Sequence, residues 1–150
     1  MAEEIRMVDI SQKEAVIRVA TAIGTIKLKP ETIKRIRNNE IEKGNVIAAT
    51  KIAAIAAVKK TPDMLPLCHP IPISNVKVDI KINKESLEIM VTVKSIGKTG
   101  VEMEALTGVT VGLLNVWDMV KKYEKDEKGQ YPTTRISDIR VVEKTKTGVQ

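Results

Sequence analysis

Residues 61–72, TPDMLPLCHPIP, constrain this chain more than any other stretch. Four of its six prolines fall there, with its single cysteine and its single histidine. Each proline fixes its own φ and pushes its predecessor toward extended backbone. The chain around His69 is therefore stiff, and Pro70 keeps His69 itself out of the helical region. A histidine titrates near neutrality. On so rigid a crossover His69 is either an acid, a base or an anion donor, or a satisfied structural side chain. The loop alone leaves both readings open.

Ahead of the crossover, residues 7–13 read as an irregular lead-in. Over residues 14–28 the alternating sets Val16, Arg18, Ala20, Ala22 and Ile17, Val19, Thr21, Ile23 are both apolar or small. That is the pattern of a strand covered on two sides. Arg18 is the exception: an edge charge that snorkels to water, or a clamp for an anion. Pro30 opens a short helix through Asn38, with Glu31 favouring its positive end. Residues 39–44 form a loop, and Asn45 caps a helix over residues 46–60. That helix is alanine-rich and nearly apolar all round, so it should be buried on more than one side. A chain of 150 residues has little material for this, and a subunit interface is expected there.

Beyond the crossover, residues 75–83 alternate Val76, Val78, Ile80 and Ile82 with Lys77, Asp79 and Lys81, as a half-solvated antiparallel strand does. A turn at 83–86 returns the chain as a second strand over 87–96. The glycines of 97–100 break it, and Thr99-Gly100-Val101-Glu102 has the spacing of a capping box for a long helix to about residue 125. A last strand, 137–143, precedes a polar tail expected to be mobile. The order β, α, α, β, β, α, β is most simply solved as an α+β fold. It would be ferredoxin-like, a mainly antiparallel β-sheet with helices packed on one face.

Composition narrows the function. With 43% apolar residues but no Phe, the core of one domain over 1–150 must come from Ile, Val, Leu, Ala and Met. No uninterrupted apolar run is long enough for a membrane span. An acidic start over residues 1–6 without an apolar signal core, and a lone cysteine, fit a cytoplasmic protein. The net charge of +6 favours an anionic partner. The strands carry no aromatic platform for stacking bases, which points to a small molecule and not to nucleic acid. There is no phosphate-binding P-loop, and one His with one Cys supplies no zinc set. A ligand-sensing oligomerisation domain without catalysis is the main alternative to an enzyme.

On the long helix Thr107, Thr110, Asp118 and Lys121 fall within about 80° of one another. Asp118 is flanked by Val116, Trp117, Met119 and Val120, where a carboxylate is costly unless paired. Lys121 is within reach at i+3. The pair is either an ordinary intrahelical salt bridge or a tuned acid–base couple. Glu102 precedes Asp118 by sixteen residues, about 24 Å along a straight helix, and points to roughly the opposite face. A site that used both would have to be shared between chains. Lys43, beside Gly44 at a helix start, is placed for an anion.

Several runs together resemble the MoaC family, cyclic pyranopterin monophosphate synthase. They are Lys43-Gly44-Asn45-Val46 with Ala48-Ala49-Thr50-Lys51-Ile52-Ala53, Leu65-Pro66-Leu67-Cys68-His69-Pro70, Gly97 through Thr107, and Trp117-Asp118-Met119 with Lys121. Met7-Val8-Asp9-Ile10-Ser11 and Arg18 resemble its N-terminal signature. The resemblance implies a lyase of molybdenum cofactor (molybdopterin) biosynthesis. Such an enzyme rearranges a cyclised dihydroguanosine triphosphate to cyclic pyranopterin monophosphate, with release of diphosphate. It further implies a homohexamer, a trimer of dimers, with each site at a dimer interface. By position, Asp118 corresponds to the catalytic aspartate and Lys121 to its lysine partner. Leu67, Cys68 and His69 form one substrate-binding run, Glu102 and Met103 another, and Arg18 and Lys43 line the pocket. No resident cofactor or metal is implied, although a divalent cation could accompany the triphosphate. The segment Lys144-Thr145-Lys146-Thr147-Gly148 is shorter and less glycine-rich than the family's lysine-bearing end, so Lys144 and Lys146 are not assigned to phosphate.

Overall fold

The computed structural model describes residues 4–148; residues 1–3 of the acidic start lie outside them. In chain order the elements are β1 (Val16–Lys27), α1 (Pro30–Arg37), α2 (Val46–Lys59), α3 (Thr61–Met64), β2 (Ile73–Ile82), β3 (Ser86–Gly97), α4 (Glu102–Glu124) and β4 (Arg135–Thr147). The strands form one antiparallel sheet in the order β4-β1-β3-β2, with α2 and α4 on one face. This is the ferredoxin-like arrangement expected from the sequence. Period-2 side chains of the central strands make its floor: Ala20, Ala22 and Ile26 from β1, and Leu87, Ile89, Val91 and Val93 from β3, all fully buried.

Small residues set how closely the layers approach. A Cβ at Gly24 would come within 2.7 Å of Val109 and 2.8 Å of Leu113, so α4 lies directly on β1 there. One at Gly108 would come within 2.9 Å of Val58, and one at Gly112 within 3.6 Å of Ala54, which brings α2 against α4. Asn115 Nδ2 donates to Thr50 Oγ1 at 3.1 Å across the same helix pair. At the far end of α4, the buried Glu124 carboxylate accepts from Lys29 N at 3.1 Å, from Thr32 Oγ1, and from Thr134 Oγ1 at 2.6 Å. Lys29 offers α1 no side-chain cap. A carboxylate from a distant helix therefore satisfies that N-terminus.

Asn45 caps α2 as expected, its side chain accepting from Ala48 N at 3.0 Å. Four expectations need correction. The other face of β1 (Ile17, Val19, Thr21, Ile23) is only half-buried, because no helix crosses it. The capping box does not form: Val101 occupies the cap position of α4 without a side-chain hydrogen bond. The crossover is not extended throughout, since Pro62 sits in the first turn of the short α3, where its missing N–H costs nothing. The tail is not loose, because Lys144 to Thr147 pair with Ala20 to Ile17 of β1. Backbone pairing needs no apolar side chain, so the composition of that segment concealed a strand. Among the described residues no helix is long and apolar enough to cross a membrane.

Candidate functional site

Arg18 lies two residues before Ala20 and shares its face, at the end of the sheet where α4 starts. The register sets Lys146 opposite Arg18 and Lys144 opposite Ala20. These three bound a cleft of about 390 Å³ with Lys13, Thr99 and Glu102. Arg18 Nε donates to the Gly97 carbonyl at 3.0 Å. One of the five guanidinium donors thus fixes the group, and the rest are left for an anion. The Glu102 carboxylate folds back over Gly100, where a Cβ would collide with it.

The same Lys13, Thr99 and Glu102 open into a second, more apolar hollow of about 660 Å³. Residues 65–69 and Met103 form one wall, and Arg6, Val8 and Ile10 of the lead-in form another. Cys68 Sγ lies 3.8 Å from Glu104 Oε2. Burial first, then the neighbouring Glu104, pushes the Cys68 thiol pKa up. Glu104 is itself raised, first by its own burial.

A third hollow, of about 350 Å³, belongs to the other end of α4. There the Asp118 carboxylate sits between two ammonium groups, Lys43 Nζ at 3.0 Å and Lys121 Nζ at 3.2 Å. Lys43 also donates to the Asp118 carbonyl at 3.1 Å. The hydrogen bond from Lys43, then that from Lys121, holds the Asp118 carboxyl below the usual aspartate value.

Of the residues expected to serve a site, Arg18, Leu67, Cys68, His69, Glu102 and Met103 line the two joined clefts, while Lys43, Asp118 and Lys121 cluster apart from them. Two points differ from expectation. Asp118 is 56% exposed, so its pairing does not answer a burial cost. The Lys43 ammonium is engaged by Asp118 and does not stand free at the start of α2. Sequence reasoning missed Lys13, Lys144 and Lys146, and it missed Glu104 as a buried group. The alternation Lys144, Thr145, Lys146, Thr147 was the available signal for a strand with two lysines on one face. Nothing local marks Glu104 as buried. Among the described residues no three His, Cys, Asp or Glu side chains converge as a metal set.

A model of the MoaC family matches residues 7–147. The chain is 60% identical over 146 residues to a Saccharolobus solfataricus protein named "Probable cyclic pyranopterin monophosphate synthase", covering 97% of this chain and 98% of that one. Proteins of the same name resemble it in Archaeoglobus fulgidus, at 59% identity over 97% of this chain and 93% of theirs, and in Pyrococcus abyssi, at 59% over 95% and 90%.

Proposed function

This chain belongs to the MoaC family, and from that premise we propose the reaction its site carries out. It is a cyclic pyranopterin monophosphate synthase of molybdenum cofactor biosynthesis. It rearranges a cyclised dihydroguanosine triphosphate to cyclic pyranopterin monophosphate and releases diphosphate, a lyase reaction. The conversion involves no net redox change. Its chemical demands are proton transfer and neutralisation of a triphosphate.

Each demand has side chains suited to it. Arg18, with Lys13, Lys144 and Lys146 around one cleft, neutralises the phosphates, and His69 joins them as a donor. Leu67, Cys68, Glu102 and Met103 line the adjoining hollow and hold the ring being rebuilt. Asp118 and Lys121 move protons, and Lys43 keeps Asp118 ionised. A divalent cation would arrive with the triphosphate, as part of the substrate.

The observation that carries this reading is the separation of these groups along one helix. Glu102 opens α4 and Asp118 lies sixteen residues on, about 24 Å by helical rise. No single protomer can bring both to one substrate. A neighbouring copy must supply the second half, which supports a site at a dimer interface within a homohexameric trimer of dimers. Apolar surface left uncovered on the two packed helices, with Ile52 69% and Leu114 59% exposed, supports burial by further copies. Such an enzyme would work in the cytoplasm.

The test is turnover of the cyclised triphosphate by the purified protein alone, read as diphosphate release. Asp118→Asn should slow it by about a hundredfold or more, the scale of a lost acid–base group. An Asn variant at the parent rate would remove Asp118 from the chemistry.

A further inference from the structure

Glu104 is the acidic residue that the reaction above leaves unused. It follows Met103 on the first turn of α4 yet is 1% exposed. Its Oε2 accepts from Cys68 Sγ, and its Oε1 has no partner among the described residues. An unsatisfied buried carboxyl oxygen costs stability, and a leucine would fill the same space without that cost.

The proline loop explains what the carboxyl does there. Pro66, Pro70 and Pro72 have no N–H to donate. The backbone hydrogen bonds of Leu65 and Cys68 run to Thr61 and Leu65, within the local turn. Among the described residues, Cys68 to Glu104 is the one side-chain hydrogen bond that ties residues 65–70 to α4. The loop is stiff within itself but has few means of attachment. Residues 67–69 face the hollow, so a shift of the whole loop would displace His69.

We propose that Glu104 is a positioning residue: its carboxyl anchors Cys68 and thereby fixes residues 67–69 over the first turn of α4. The proposal rests on the reading above only in that these residues meet substrate. The titratable groups facing Glu104 are Cys68 from the loop and Glu102 from its own helix. The buried surfaces packed against α4 are apolar or uncharged: Val91, Val93 and Ser95 from β3, and Ala54, Ala57 and Val58 from α2.

Cys68 is the sole cysteine, so its alkylation by iodoacetamide across a range of pH reports on this contact alone. Hydrogen exchange of a peptide spanning residues 65–72 reports on the loop. Glu104→Gln keeps an acceptor for the thiol and removes the charge. It should leave loop exchange near the parent's, lower the alkylation midpoint, and retain most turnover. Glu104→Leu removes the anchor. It should raise loop exchange while sheet peptides stay protected, and lower kcat/KM by about tenfold. Exchange and alkylation in Glu104→Leu identical to the parent would overturn the proposal. So would a Gln variant as loose as the Leu variant. Should Glu104→Leu fail to fold, an unmoved alkylation midpoint in Glu104→Gln overturns it as well. A parent that releases no diphosphate would defeat the proposed reaction, while the thiol and exchange readouts would still decide this point.

Discussion

Asp118 shows how much of a site one residue's spacing reveals. Its partner Lys121, one helical turn on, was legible as an i+3 pair. Lys43, 75 residues away in sequence, was not, because only the fold brings it there. The pairing has a consequence for pH. Lys43 first, then Lys121, lowers the Asp118 pKa, so any stability it gives is present above the ordinary value of 3.8 and lost as pH falls through the lowered one. The side chain is more than half exposed, and that stability is small. The effect on activity is larger. Lys43→Met removes the larger cause, so the acid limb of the kcat/KM profile should move up toward the ordinary aspartate range, with turnover down about tenfold or more. A limb that stays in place would mean another group titrates there. Glu104 runs the opposite way, since a raised carboxyl contributes stability below its ordinary value of 4.5 that is lost as pH rises through the raised one. Its burial could not be read from its neighbours in sequence.

The elements themselves were largely readable. Period 2 over β1, β2 and β3 and the Asn45 cap of α2 fixed four of them to within about two residues. The start of α4 was located correctly for a reason that the structure does not bear out: the Thr99–Glu102 spacing is present but the box is not formed. Helix ends that pack against a sheet can be held by tertiary contact instead. Close approach is likewise a property of pairs of elements. Gly24 looks like a weak point in a strand, yet it is where α4 rests on the sheet. Gly24→Ala should cost about 1–3 kcal/mol from overpacking against Val109 and Leu113, seen as a lower denaturant midpoint at unchanged slope. An unchanged midpoint would mean α4 can shift without cost.

At the scale of the molecule, two half-sites at opposite ends of α4 make catalysis a property of the assembly. Chains carrying Glu102→Ala and chains carrying Asp118→Ala should each be inactive. Unfolded and reassembled together in equal amounts, they should recover up to about a quarter of the parent's sites, since random pairing restores one intact combination in four. No recovery despite proper assembly would show that each site draws on one chain. The sequence by itself determined the α+β class, the strand alternation, the stiff crossover around His69 and the separation of Glu102 from Asp118, because these follow from local spacing and backbone restriction. Only the tertiary structure decided that Lys43 joins Asp118, that Lys144 and Lys146 stand beside Arg18, and that Glu104 is buried against Cys68. Each of those depends on strand register or helix docking, which bring together residues whose sequence neighbours carry no record of the meeting.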